Sequence, residues 1–419
     1  MKDRPVVGGH YDTLETRSDD ERAAWLAQEL PRQVALAQAL PGYAETLEGV
    51  DAAAITGRDA LAALPVLRKS RLGRAQRAQP PFGGYTARAP HGFAHVFQSP
   101  GPIYEPGGAD RDWWRMGRFL HACGIGAGDI VQNCFGYHLT PAGMIFENGA
   151  RAVGAAVLPA GVGQTELQVR AAVDLGTTAY AGTPDYLKVI LDKAEELGER
   201  LSITRAAVGG GALFPSLRAE YADRGIACLQ CYATADLGNI AYESLPQDFP
   251  ARQPEGMIVD EGVIVEIVRP GTGDPVPAGE VGEVVVTTLN PDYPLIRFAT
   301  GDLSAVLPGH SPCGRTNMRI KGWMGRADQT TKIKGMFVRP EQVAALVARH
   351  AEIRRARVIA LREGEMDVMT VQIESAGGDP AAYEGSVAET LKMRGRVEIL
   401  PPGALPNDGL VIEDRRKYD

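Results

Sequence analysis

Two stretches, PLIRFATGDL at 294–303 and GRADQTTKIKGMFVRPEQV at 325–343, decide the fold of this chain. The first is an apolar run typical of a β-strand, and it ends in a Thr-Gly-Asp turn that presents the carboxylate of Asp302. The second starts with Gly-Arg-X-Asp, continues through a lysine-rich strand and enters a helix at Pro340. The pattern predicts a β-rich region that ends in a carboxylate, followed by a new unit that begins near Gly325.

Upstream of these stretches, apolar strands alternate with helices. An aromatic helix over 111–124 precedes the strand DIVQNCFGY. The strands RAVGAAVLPA, TTAYAG, RAAVGGG and IACLQCY then alternate with helices 164–175, 184–197 and 214–224. Such alternation is typical of a parallel sheet covered by helices on both faces. We therefore predict an α/β fold with a large, doubly wound, mostly parallel sheet.

The chain divides into two predicted domains. Residues 1–325 form a large N-terminal domain, in which β-branched runs and PGTGDP and NPDYP turns predict a β-rich subdomain at about 257–324. Residues 326–419 form a small α+β domain with helices 340–350 and 380–394.

The N-terminal third carries weaker patterns. Ser18 is a good helix cap, and Pro31 is predicted to begin a second helix. Residues 69–110 are rich in Gly, Pro and Arg with little periodicity, so we predict loop and edge structure there.

Composition excludes several classes of protein. The net charge of −8 argues against nucleic-acid binding, which depends on a basic surface. The five cysteines are scattered and odd in number, which suits a reducing compartment. The N-terminus has no signal-peptide pattern, and no run of about 20 apolar residues predicts a membrane span. We expect a cytoplasmic protein that binds neither nucleic acid nor membrane.

Several ordered motifs together carry a family resemblance. They are the two stretches above and LPVLRKSRL (64–72), GDIVQNCFGYHL (128–139), GTPDYL (182–187), GEVGEVVVTTL (279–289) and SPCGRT (311–316). Over nearly its whole length the chain resembles the phenylacetate–CoA ligase family of the adenylate-forming superfamily. The resemblance implies a large N-terminal domain, a mobile C-terminal lid over residues 326–419, and an active site between them. Such enzymes activate a carboxylate with ATP and then pass the acyl group to a thiol.

Two parts of that machinery are missing from the sequence. The family's phosphate loop, of the SSGTTGKPT type, should follow the strand at 93–98, but here the chain reads AHVFQSPGPIYEPGG. Pro100 and Pro102 lack the N–H groups that a triphosphate needs, and Glu105 would repel it. The family's terminal lysine corresponds to Leu410 in LPNDGL. These losses point away from ATP-driven activation, although a divergent but working ligase is the alternative.

Other nucleotide and coenzyme A positions are retained. By resemblance, Asp302 accepts the ribose hydroxyls, Tyr232 stacks on adenine, and Asp236 lies near magnesium. For Asp302, an N-cap or turn aspartate is the alternative. The run Gly209, Gly210, Gly211 and Ala212 could admit a flat ring or a pantetheine arm, or it is simply a strand-to-helix turn.

The hinge and lid positions follow from the same resemblance. Arg326 and Asp328 match the family's hinge motif. Lys332 and Lys334 are either lid surface or contacts made in the thioester-forming state.

The acyl pocket is placed by the resemblance near Phe135, Gly136 and Tyr137. The next residue, His138, stands where the family usually has glycine. A histidine titrates near neutral pH and could therefore act as a general base for a thiol. A histidine hydrogen-bonded in the pocket wall is the alternative.

A structural zinc is not expected. Some relatives hold zinc with cysteines and a histidine, but SPCGRT keeps only Cys313, with His310 nearby, and four ligands are normally needed. Cys228 and Cys231 form a CxxC on a predicted buried strand, where they belong to the core.

Three functions remain open on the sequence. The preferred one is an acyltransferase that moves an aromatic acyl group between coenzyme A and a carrier-protein phosphopantetheine, without ATP, because thioester exchange needs orientation more than energy. The alternative is an ATP- and magnesium-dependent aryl-CoA ligase that acts on an aryl acid. The third is a non-catalytic acyl-CoA or nucleotide binding protein. By analogy with the family, the chain could form a homodimer.

Overall fold

A computed structural model of the chain describes residues 9–211, 213–246, 253–327, 329, 331–333, 336–363 and 366–416. The chain forms two compact units. Unit 1 comprises Met1–Val265, Val286–Phe298 and Leu307–Trp323, and unit 2 comprises Glu266–Val285, Ala299–Val306 and Met324–Asp419. None of the helices in the described ranges is long and apolar enough to cross a membrane.

The helices begin and end where the sequence supplies caps. Ser18 and Glu21 form a reciprocal capping box at the start of the first helix, which then runs through Pro31 without a break. The prediction that Pro31 begins a second helix was therefore wrong. The α-helices are α1 (Asp19–Gln38), α2 (Arg58–Ala62), α3 (Lys69–Ala78), α4 (Gly117–Ala122), α5 (Ala142–Ala152), α6 (Thr165–Leu175), α7 (Pro184–Glu196), α8 (Pro215–Asp223), α9 (Pro340–Ala348) and α10 (Pro380–Leu391).

The strands fall into a long series in chain order. They are β1 (Leu67–Arg68), β2 (His95–Ser99), β3 (Ile103–Gly107), β4 (Ile130–Asn133), β5 (Ala156–Leu158), β6 (Ala179–Gly182), β7 (Arg205–Val208), β8 (Ala227–Thr234), β9 (Gly238–Tyr242), β10 (Met257–Val259), β11 (Val263–Val268), β12 (Val281–Thr288), β13 (Phe298–Leu307), β14 (Arg319–Ile320), β15 (Thr331–Ile333), β16 (Met336–Val338), β17 (Ile353–Glu363), β18 (Met366–Ser375), β19 (Arg396–Leu400) and β20 (Ile412–Asp414).

Unit 1 is built around a mixed sheet. Strands β5, β4, β6, β7 and β8 lie side by side and parallel, as their connecting helices require. Strands β9, β10 and β14 continue the sheet in antiparallel fashion. The predicted α/β fold class is confirmed.

Alternate residues of a strand point to opposite faces of the sheet. In the parallel strands both sets of residues are packed against helices. On one face Ala179, Ala207 and Leu229 pack against Phe119 of α4 and Phe146 of α5. On the other face the intervening residues pack against α7 and α8; they include Tyr180, Ala206, Val208 and Cys228. Helices therefore cover the sheet on both sides, as in a doubly wound fold.

Unit 2 contains a separate four-stranded sheet in the order β19-β18-β17-β20. Helices α9 and α10 pack on it through one apolar cluster that includes Leu346, Val387, Val358 and Val371. Strands β15 and β16 form a short antiparallel pair. Strands β11, β12 and β13 pair in that order, and each passes through parts of both units. The predicted boundary at 325/326 and the mobility of a lid remain predictions.

Residues 69–110 contain more regular structure than the sequence predicts. They include helix α3 and the hairpin of β2 and β3, besides the loops that were expected. The aromatic helix expected over 111–124 is reduced to α4, because Asp112 and Arg115 both adopt positive φ angles.

Candidate active site

The parallel strands of unit 1 end at one edge, where ligand sites of α/β sheets form. The segments that follow β4 and β7, at 134–138 and 209–211, lie at this edge. Tyr232 lies near the end of the next strand, β8, and Asp236 lies in the β8–β9 turn that follows it. The predicted acyl-pocket, glycine-rich and adenine-stacking segments of unit 1 thus share one edge.

Two stacked phenylalanines form an aromatic wall at this edge. The rings of Phe135 and Phe146 are 4.3 Å apart and inclined by 26°. A Cβ placed on Gly209 would lie 3.1 Å from Sγ of Cys231 and 3.6 Å from Cζ of Phe146. A Cβ on Gly210 would lie 3.6 Å from Phe135. The glycines therefore border the aromatic wall, which suits a flat ring.

Asn133, at the end of β4, fixes the loop that carries the predicted acyl pocket. Its amide nitrogen Nδ2 donates to the hydroxyl of Tyr137 at 2.7 Å and to the carbonyl of Gly143 at 2.8 Å. Its Oδ1 accepts from the amide of Phe135 at 3.2 Å. Gly136 is tied to α5, because its carbonyl accepts from the amide of Gly143 at 2.9 Å.

His138 lies beside this pocket on an exposed turn. Among the described residues, no side-chain hydrogen bond holds its imidazole in the pocket wall. Its backbone carbonyl accepts from the amide of Thr140 at 2.7 Å. The general-base role stays a proposal.

The glycine-rich run mixes buried and open positions. Gly209 is buried, whereas Gly210 and Gly211 are exposed. Gly210 has φ of +69°, a conformation that favours glycine. Ala212 lies outside the described residues.

Tyr232 and Asp236 are both buried. Oδ2 of Asp236 pairs with the ammonium of Lys69 at 2.7 Å, while its Oδ1 has no hydrogen-bond partner among the described residues. The Asp236 carboxylate therefore keeps one oxygen available for a ligand.

The predicted phosphate-loop position is a tight hairpin. Strands β2 and β3 pair from His95 with Gly107 to Ser99 with Ile103, and only Pro100, Gly101 and Pro102 join them. Since proline has no N–H, Gly101 is the one linking residue with an amide to offer a phosphate. This geometry does not fit a loop that encloses a triphosphate.

Glu105 is buried on this hairpin, where its exposed fraction is 1%. Ser99 Oγ donates to its Oε1, and its Oε2 has no partner in the described chain. Burial, followed by the nearby Asp236 carboxylate, raises the pKa of Glu105 to about 8. The carboxyl is therefore largely neutral at pH 7.

In unit 2, Arg326 and Asp302 form an ion pair. Nη1 of Arg326 lies 2.9 Å from Oδ1 of Asp302, and their backbones form a β-bridge. Lys332 lies on β15, opposite Phe337. Lys334 and the predicted hinge residue Asp328 lie outside the described residues.

The segment that carries Leu410 is held by polar side chains of unit 2. Gln329 donates to the carbonyl of Gly409 at 2.9 Å and accepts from the amides of Val411 and Ile412 at 2.6 and 2.8 Å. The buried Arg357 donates to the carbonyl of Leu410 at 3.0 Å. The position of the family's terminal lysine is thus a fixed turn with a leucine.

The metal prediction can be compared with two observations. Within the described ranges, no group of three or more His, Cys, Asp or Glu side chains could hold a metal ion. Cys313 is buried against Ser311 and Arg315, at 3.0 and 3.6 Å. Burial alone would raise the pKa of this thiol, but those two contacts lower it below its ordinary value.

Sequence reasoning missed several residues of this region. Lys69, Ser99, Glu105, Asp236 and Tyr293 form what we call the polar cluster; of these, only Asp236 was predicted as a site residue. The signal that could have found Lys69 is its place inside the LPVLRKSRL motif. Tyr293 lies in the loop between β12 and β13, and nothing in the local sequence marks it.

Comparisons with known proteins agree with this architecture. The family model described as AMP-binding enzyme matches residues 137–290, a range that begins after the hairpin and ends before Asp302. The chain is 29% identical over 377 residues to a phenylacetate-coenzyme A ligase of Thermus thermophilus, covering 86% of this chain and 83% of that protein. A phenylacetate-coenzyme A ligase of Aromatoleum evansii is also 29% identical, over 87% of this chain and 84% of its own length.

A solved structure gives the same fold. The open conformation of a 2-hydroxyisobutyryl-CoA ligase, in complex with 2-HIB-AMP and CoA, superposes with a TM-score of 0.70 at 22% identity, covering 97% of this chain and 95% of that one. A likeness at this identity shows a shared fold. The chain carries the AMP-binding enzyme pattern and is similar to phenylacetate-coenzyme A ligases over more than four fifths of its length.

Proposed function

We propose that this protein is an ATP-dependent aryl-CoA ligase, which joins an aromatic acid to coenzyme A. The observation that carries the proposal is the match to two phenylacetate-coenzyme A ligases along more than four fifths of their length. The aromatic wall of Phe135 and Phe146 supports an aromatic rather than a short aliphatic acyl group, since aromatic pairs favour a third ring at their edge or face.

In this function the acid oxygen attacks the α-phosphate of ATP and pyrophosphate leaves. A coenzyme A thiolate then attacks the acyl carbon and AMP leaves. Asp302 would accept hydrogen bonds from the ribose hydroxyls. Asp236 would use its free Oδ1 toward magnesium, which would supply positive charge to the phosphates of ATP. The exposed His138 takes the thiol proton as a general base.

The test is product analysis with purified protein, ATP, magnesium, coenzyme A and a panel of arylacetic and benzoic acids. The expected result is equal amounts of AMP, pyrophosphate and aryl-CoA. Thioester formation with no AMP, or no reaction with any acid, would contradict the ligase function.

A second function, acyl transfer between coenzyme A and a carrier-protein phosphopantetheine, is favoured by one specific observation. The three-residue Pro-Gly-Pro turn supplies a single amide where a triphosphate needs several, and the buried Glu105 stands beside it. Thioester exchange needs no phosphate contact, so this hairpin does not impede it.

The two functions are separated by incubating the protein with an aryl-CoA and a phosphopantetheinylated carrier protein, without ATP. Transfer of the aryl group, seen as a mass increase of the carrier, supports the second function. A further variant lengthens the turn with a Ser/Thr/Gly loop and adds Leu410→Lys. If the missing donors limit adenylation, this variant gains pyrophosphate release by about 10²-fold or more.

A further inference from the structure

The polar cluster contains three buried oxygen atoms that lack partners. Within the described part of the chain, Oε2 of Glu105, Oδ1 of Asp236 and the hydroxyl of Tyr293 make no hydrogen bond. Their residues are 1%, 6% and 4% exposed. A buried polar atom without a partner is destabilising, so three together indicate a place that a ligand or solvent fills.

Charge links these atoms to one another. Burial raises the pKa of Tyr293, and the Asp236 and Glu105 carboxylates raise it further. The Asp236 carboxylate also raises the pKa of Glu105, whereas the Lys69 ammonium lowers it.

Lys69 is held in a fixed position relative to the hairpin. It begins helix α3, and Gln76 of that helix exchanges two hydrogen bonds with the backbone of Tyr104 on β3, at 2.8 and 2.9 Å. Glu105 is the next residue on β3. The helix that carries Lys69 and the strand that carries Glu105 therefore move together.

We propose that Lys69 is a positioning residue for Asp236, whose carboxylate it holds so that the free Oδ1 meets a cationic or hydrogen-bond-donating group of the substrate complex. Lys69 occupies Oδ2 and fixes the rotamer of the carboxylate. This inference rests on the proposed function, in which Asp236 faces the metal–nucleotide.

The geometry makes Lys69 the residue whose loss is most informative. Its side chain is 38% exposed, whereas that of Asp236 is 1% exposed. Removing the cation leaves a buried carboxylate uncompensated, which is costly. Arginine can replace the charge, although not the compact shape, of the ammonium.

The first experiment measures AMP release and its pH profile for Lys69→Met, Lys69→Arg and Arg74→Met. Arg74 is an exposed cation on the same helix and serves as the matched control. We expect Lys69→Met to lose about 10²-fold in kcat/KM through misplacement of Asp236, Lys69→Arg to recover most of it, and Arg74→Met to match the wild type. Equal losses in Lys69→Met and Arg74→Met, or no recovery in Lys69→Arg, would overturn the proposal.

The second experiment does not need activity. Urea unfolding is followed from about pH 4 to pH 7 for the same variants and for Lys69→Met combined with Asp236→Asn. We expect Lys69→Met to lose stability as the pH rises, and Asp236→Asn to remove that pH dependence. A wild type that releases no AMP contradicts the ligase function, and this stability result then decides the positioning role. A flat pH dependence in Lys69→Met would overturn it.

Discussion

Arg326 Nη1 lies 2.9 Å from Oδ1 of Asp302, and the two residues also pair through their backbones. The Asp302 side chain is 10% exposed and that of Arg326 is 56% exposed. Arg326 belongs to the predicted hinge motif, and Asp302 is the predicted ribose-binding carboxylate. The ion pair therefore brings these two predicted positions into direct contact. The ion pair itself adds little stability, since exposed pairs contribute about 0–1 kcal/mol.

Asp302→Asn tests the nucleotide role of this carboxylate. A hydrogen bond to a charged group contributes about 1.5–3 kcal/mol, so we expect AMP affinity to fall by about 10- to 100-fold. Isothermal titration with AMP measures it. Unchanged affinity, with a normal unfolding curve, would contradict the ribose contact.

Gly301→Ala separates backbone strain from ligand effects. Gly301 has φ of +75°, and a Cβ there would lie 2.9 Å from Nη2 of Arg326. We expect a cost of about 1 kcal/mol in unfolding free energy, together with weaker AMP binding because the guanidinium is displaced. Gly279→Ala is the control, since Gly279 has φ of +87° and open space around its Cα. Gly279→Ala should lower the unfolding free energy by the same amount and leave AMP binding unchanged. Equal AMP binding in the two variants would count against displacement of Arg326.

Glu105→Gln should stabilise the protein as the pH rises. The carboxyl titrates near 8 in the folded state and near its ordinary 4.5 when unfolded, so ionisation favours the unfolded chain between these values. The variant should equal the wild type below about pH 4.5 and gain roughly 2–4 kcal/mol by about pH 8. Urea unfolding across this range measures it.

The exposed Glu48→Gln is the matched control for the same charge change in unit 1. We expect its stability to track the wild type at every pH. If Glu105→Gln behaved in the same way, the raised pKa of Glu105 would be refuted.

Gly209→Ala and Gly209→Val test the aromatic wall. A Cβ at Gly209 meets Cys231 at 3.1 Å, so even alanine is tight, and valine must intrude on Phe146. We expect the KM for aromatic substrates to rise from alanine to valine by about 10-fold or more, while the KM for coenzyme A stays constant. If the KM for coenzyme A rose together with the KM for aromatic substrates, Gly209 would not be specific to the aromatic wall.

The sheet was predictable because its signal is local and repeated. Strands β6 and β7 are largely buried on both faces, and the connecting helices carry clear starts such as Pro184 and Pro215. Cys228 and Cys231 both lie buried on β8, where the sequence placed them. Local pattern and tertiary burial agree at these positions.

Prediction failed where distant contacts decide the structure. Pro31 continues α1 rather than starting a helix. The helix α3 is fixed by Gln76 against β3, which no periodicity reveals. The polar cluster joins residues from positions 69, 99, 105, 236 and 293, so no motif could contain it. Its members are identified by their burial and by side-chain oxygen atoms that lack hydrogen-bond partners among the described residues.

The Pro-Gly-Pro connection between β2 and β3 has a consequence for ancestry and engineering. Residue swaps at fixed chain length can supply hydroxyls, but they cannot create the span of backbone that wraps a triphosphate. A phosphate-binding loop at this position would need inserted residues, not only substituted ones. Insertions arise less readily than point substitutions.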